Sequence, residues 1–226
     1  MQRALAMAGS LFLLVVSAPG CRGVSEMMTP PSVVASRGPR CRPTPINPGP
    51  DLRPSLLAVE SAFDQYLLLL PYSPDWQTDC GGDSAFDGTS RSLALQVNIN
   101  VADWGAPGVQ PDQYLQEVSR RVAQGYTRQG WAFRDSALVN PFNIPILQYR
   151  VESVDAQGMP YTQYNYWTMR PRQDGRVVEL HIALNNPNPA TLSTREGSLY
   201  YYLSNFSVHG QTQRMRQVEG KPPVYR

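Results

Sequence analysis

The chain has 226 residues, 42% of them hydrophobic, with 21 prolines and a formal net charge of +2. That size and apolar content allow one ordinary hydrophobic core. A balance so close to neutrality excludes the strongly basic surface that nucleic acid would require.

The first twenty residues carry one early charge, Arg3, then an apolar run from Ala4 to Val16 and small residues up to Cys21. This is the layout of a secretory leader, residues 1–20. The run is too short to span a hydrocarbon core of ~30 Å, which needs about 20 apolar residues. Ala18 and Gly20 suit a cut directly before Cys21, and the stretch APGC resembles a bacterial lipobox, with Ala18 and Pro19 replacing its usual residues. Lipidation of Cys21 is therefore expected. The alternative is a soluble periplasmic or secreted protein. Arg22 after the cysteine, by the same resemblance, favours the outer membrane.

Residues 21–54 are dominated by Pro, Ser, Arg and Gly, as in RGPRCRPTPINPGP, and read as an extended spacer after the lipidated cysteine. A folded domain over 55–210 follows. LLAVESAFDQYLLLLPY fits both a helical stripe and a strand; the expectation is a short helical start and a strand through Leu70, ended by Pro71. SPDWQTDCGGDSAFDGTS reads as a solvated loop. RSLALQVNINV alternates cleanly and predicts a half-buried antiparallel strand. PDQYLQEVSRRVAQGY predicts a helix with Pro111 in its first turn, a stripe of Tyr114, Leu115, Val118, Val122 and Tyr126, and Gly130 as its stop. IPILQYRVESV, YTQYNYWTM and RVVELHIAL predict a three-strand meander. NPNPATLSTREG leads into a last helix with Ser193 and Glu196 at capping-box spacing. The basic tail, 211–226, reads as disordered. The fold class is α+β, an antiparallel sheet with helices packed on one face.

Pro71, Trp76 and Tyr114-Leu115, with LQVNINV, the meander and LYYYLSNF, resemble the PsbP/DcrB-like family of small envelope and thylakoid-lumen proteins over roughly residues 63–207. The Asp-rich insertion after Trp76 departs from that family's spacing. The resemblance implies a non-enzymatic binding or accessory protein.

Three cysteines are present. With Cys21 acylated, an even pair remains, and a Cys41–Cys80 disulfide is expected rather than two free thiols. Closing a loop of about 40 residues stabilises by roughly 4 kcal/mol on the chain-entropy model. Asp75, Asp79, Asp83 and Asp87 recur every four residues beside glycines, a spacing that differs from an EF-hand loop, so no metal is expected. His181 and His209 lie in no metal or catalytic motif, and His181 is expected to be partly exposed. The aromatics Tyr161, Tyr164, Tyr166, Trp167 and Tyr201 are the candidate partner-binding residues, since Tyr and Trp suit contacts apolar at one end and wet at the other.

The reading is an envelope lipoprotein held to a membrane through Cys21, facing the periplasm, whose domain binds or scaffolds another envelope protein. It needs no cofactor and no nucleic acid. The alternatives are a soluble exported domain binding a small apolar ligand between sheet and helices, and an enzyme.

Overall fold

The computed structural model describes residues 40–47, 55–104, 109–155, 157–172 and 174–208. The leader, Cys21, most of the spacer and the basic tail lie outside them, as does His209. The α+β class holds: among the described residues there are two antiparallel sheets and two α-helices.

The first sheet runs β1 (Arg42–Ile46), β2 (Leu56–Ser61), β3 (Tyr66–Pro71) and β11 (Ser207–Val208). Two sequence expectations change here. The fold begins inside the segment read as spacer, because β1 pairs with β2 from Arg42 opposite Glu60 to Ile46 opposite Leu56. The helical start is instead the first arm of a β2–β3 hairpin, Leu57 opposite Leu70 and Val59 opposite Leu68. The stripe at helical spacing coincided with an alternation of period two, and cross-strand pairing decided between them.

The second sheet has seven strands in the order β4 (Gln77–Asp79), β5 (Phe86–Ser90), β6 (Leu95–Asp103), β10 (Arg176–Asn185), β9 (Pro160–Pro171), β8 (Ile146–Val154) and β7 (Ala132–Val139). β4 and β5 lie in the segment expected to be loop. Gly88 in β5 is obligatory, since a Cβ there would stand 2.7 Å from the Phe86 ring. β7 had no counterpart in the sequence reading.

Alternation on this sheet makes two cores. Val97 and Ile99 of β6, Tyr166 of β9 and Val178, Leu180 and Ile182 of β10 face the first sheet and helix α2 (Leu192–Ser204), which brings Leu199 and Leu203. Leu147, Tyr149 and Val151 of β8, Met169 of β9 and Val177 of β10 face helix α1 (Pro111–Arg128), with Leu115, Val118, Val122 and Tyr126. The helices therefore cover opposite faces of the seven-stranded sheet, not one face. The reason is the first sheet: it takes most of one face, and α2 packs beside it in the same core.

α1 ends as the sequence foretold. Gly130 adopts φ +76, its N–H donates to the Thr127 carbonyl, and Trp131 N–H donates to that of Tyr126, a Schellman closure. α2 begins differently. Its N-cap is Thr191, and Glu196 serves no capping box but accepts a hydrogen bond of 2.6 Å from the Tyr166 hydroxyl.

Candidate functional site

The aromatic strand β9 divides its side chains between the two cores. Tyr166 is buried, with its ring edge-on to Tyr200, so it leaves any exposed surface. Tyr164 is half-buried on the same face, opposite Arg150 of β8. Tyr161 and Trp167 lie on the α1 face. The Tyr161 hydroxyl donates to Asn185 Oδ1 at 2.7 Å, and its ring meets Trp131 edge-on at 5.8 Å. Tyr201 is exposed on α2, with its ring against Tyr202. Of the five residues expected to bind a partner, strand alternation separates two pairs onto opposite faces, and Tyr201 stands apart.

What gathers instead, under and beside α1, is a polar layer. Asp87, Asn98, His181, Trp167 and Leu147 stand opposite one another across five strands. His181 is only 2% exposed, which corrects the expectation of a surface histidine. Its ring stacks on Trp167 with centroids 4.5 Å apart. Nε2 lies 2.9 Å from Asn165 Oδ1, an acceptor, so Nε2 carries the hydrogen and donates. Burial pushes the imidazole down from 6.5 to about 3, so it is neutral at every physiological pH. Asn98 Nδ2 donates to Asp87 Oδ1 at 2.5 Å and to Ser84 Oγ at 2.9 Å.

Two residues along β10, Glu179 is also buried. Desolvation raises its pKa, opposed by the Tyr114 hydroxyl, which donates at 2.6 Å, and by Arg121 at 3.8 Å. The Tyr114 hydroxyl is raised in turn, by burial first and then by the Glu179 charge. This trio joins α1 to the sheet at Tyr114 and again at Arg121. A sequence scan had no means of finding it, since Glu179 and Tyr114 are 65 residues apart.

The Asp-rich segment resolves into structural roles. Asp75 accepts hydrogen bonds from the hydroxyls of Ser73, Ser90 and Ser92 and from Ser92 N–H, which hold its carboxyl well below the usual range. Asp79 accepts from Gly81 N–H. Among the described residues no three of His, Cys, Asp and Glu converge to hold a metal ion. No described helix is long and apolar enough to cross a membrane. The disulfide between Cys41 and Cys80 is formed, with Cα atoms 5.2 Å apart.

Two shallow depressions mark the surface. One, of 240 Å³, lies over β4 to β6 and is lined by Gln77, Asp79, Asp87, Thr89 and Gln96 among others. The other, of 420 Å³, lies between α1 and β7, with Gln116, Ser119, Arg120, Ser136 and Leu138 in its wall. Neither is the apolar cavity between sheet and helices that the small-ligand alternative requires.

One end of the sandwich collects the first described residues and several turns. Arg40 donates from Nε and Nη2 to the Asp64 carboxylate at 3.0 and 2.9 Å, beside Cys41. Arg172, in the β9–β10 turn, donates to the Asp64 carbonyl at 3.1 Å. Thr168 Oγ1 donates to the Pro145 carbonyl in the β7–β8 turn. Two large apolar side chains are exposed in these turns: Phe63 at 54% and Phe142 at 68%.

Neither a family model nor a curated protein matches the chain. Among solved structures it is similar to cyanobacterial PsbP (CyanoP) from Synechocystis sp. PCC 6803, at 12% identity and a TM-score of 0.49, covering 69% of this chain and 93% of that one. It is also similar to LpqN, involved in cell envelope biogenesis of Mycobacterium tuberculosis, at 12% identity and a TM-score of 0.38, covering 74% of this chain and 91% of that one. Likeness at this distance does not carry over what those proteins bind or do.

Proposed function

We propose that the protein is an exported lipoprotein, held to a membrane through a lipid on Cys21, whose α+β domain binds or scaffolds another component of the cell envelope without catalysing a reaction. The observation that carries this reading is the Cys41–Cys80 disulfide. It fits an oxidising compartment, and it leaves Cys21 as the odd cysteine, directly after a leader with small residues at the cut. Arg40, which holds Asp64 next to the disulfide, lies 19 residues beyond Cys21 in the sequence. A single acyl chain anchors marginally and two or more hold firmly, so the multiple chains of a bacterial lipoprotein would retain the domain at its membrane.

The absence of catalysis is favoured by where the perturbed groups sit. His181, Glu179 and Tyr114 are engaged with Asn165, Arg121 and each other beneath α1, and none of the three lines either depression. Placement in the outer membrane rests on Arg22 following the cysteine. Metabolic labelling with a radioactive fatty acid tests the anchor. Label is expected in the native chain and lost in Cys21→Ser; an intact mass showing an unmodified Cys21 or a retained leader would overturn the reading.

A further inference from the structure

The β7–β8 turn carries a conformational anomaly. Phe142 has φ 56 and ψ 28, and Asn143 follows with φ 58, so two successive residues other than glycine are left-handed. Tight hairpin turns of that shape favour Asn-Gly, because a β-carbon of ordinary bulk strains the first position. Here that position holds a phenylalanine that is 68% exposed and belongs to neither core. Strain and an exposed aromatic ring thus coincide at one residue, and nothing within the described fold offsets either. Such outliers are retained where a surface is used.

The topology tells which surface. β8 leaves this turn and runs to Val154, so the turn at 155–159, with exposed Met159, is at the far end of the sandwich. The Phe142 end is the one where Arg40, the first described residue, lies. β9 connects the two: Thr168 bonds Pro145 in the Phe142 turn, and Arg172, just past the strand, bonds Asp64 in the Phe63 turn, which clamps Arg40. We infer that this end of the domain rests on the bilayer that holds Cys21, with Phe142 inserted among the lipids and Phe63 beside it. The inference rests on the tethered reading given above.

Three observations favour lipid over a protein partner. The rings stand on separate turns, Phe142 68% exposed and Phe63 54% exposed with the Arg40 guanidinium 5.8 Å from its centroid, rather than together in a groove, and a fluid interface needs no matching pocket. The 19 residues from Cys21 to Arg40 span at most about 65 Å, so the tether holds this end at high local concentration near the membrane and weak partition suffices. Arg40 and Arg172 spend their charge on Asp64 and Asp174, and the exposed Arg42 and Arg176 stand opposite Glu60 and Asp103 across their strand pairs. Apolar insertion rather than attraction to anionic headgroups is then the binding term, and it should resist salt.

The test uses the full acylated chain in vesicles of phosphatidylethanolamine and phosphatidylglycerol. The native cysteines are taken up by the lipid and the disulfide, so Asn140→Cys supplies one thiol for a polarity-sensitive dye next to Phe142, and Met159→Cys supplies the far-end control. Quenching by brominated lipid is expected at position 140 and not at 159, unchanged by 0.5 M salt. Adding Phe142→Asn to the labelled chain should lower the docked fraction about fivefold. Equal quenching at both positions, or none at 140, would overturn the docking. Shielding at 140 only in native envelope membranes, and not in pure lipid, would assign the turn to a protein partner and overturn it as well. Two dyes per chain would show Cys21 free, a failure of the tether that is told apart from a failure of the docking by this count alone.

Discussion

The two faces of the seven-stranded sheet are made from the same strands and are chemically unlike. Toward the first sheet, β10 offers Val178, Leu180 and Ile182; toward α1 it offers Val177, Glu179 and His181. The first face is closed by apolar packing. On the second, groups of high desolvation cost stay buried because each has a hydrogen-bond partner, as His181 has Asn165 on the neighbouring strand and Glu179 has Tyr114 on α1. Along β10 a dry face and a hydrogen-bonded face thus share a backbone, although Tyr166 and Arg170 of β9 carry hydrogen bonds on the first side too, and the two faces should fail in different ways.

The largest effect belongs to the dry face. Leu180→Ala should cost about 2–5 kcal/mol in urea unfolding, at every pH, because a cavity opens between two sheets that cannot collapse onto it. If it costs no more than a surface change, the packing contrast is wrong.

On the other face the effect should depend on pH. The folded imidazole resists protonation down to about 3, while the unfolded one binds a proton near 6.5. The folded pKa is depressed, so the contribution of His181 is complete above pH 6.5 and is lost as pH falls toward 3. His181→Gln keeps a donor for Asn165 and should lose only about 1 kcal/mol at pH 7. Its stability should then fall less steeply than the native protein's between pH 6.5 and 3. Parallel pH profiles would remove His181 from the buried layer.

The smallest effect lies outside both faces and has the opposite sign. Phe142→Asn should stabilise the fold by about 1 kcal/mol, since asparagine tolerates the left-handed backbone better, and thermal unfolding should shift up by a few degrees. A loss of stability would mean that the ring packs in the folded protein.

Legibility in the sequence followed burial. β6, α1 and the meander were readable because each carries one strong period. The disulfide was readable from cysteine parity alone. β7 was not, since most of its residues are exposed and carry no apolar rhythm, and β4 is exposed at all three positions. The burial of His181 needed knowledge of what covers its face, which a strand cannot encode by itself. Phe142 was visible only as one residue in NPFNIP; its exposure and its backbone angles come from the fold.

The first strand has one further consequence. Ser55 N–H donates to the Ile46 carbonyl, so Arg42, Thr44 and Ile46 turn their peptide groups toward β2, and Pro43 and Pro45 face away from it. Proline has no N–H, so the outer rim of that sheet offers no donors at those positions to a neighbouring strand. A second copy approaching this rim would find no donor at either proline, so the seam is insulated against zippering copies into a filament.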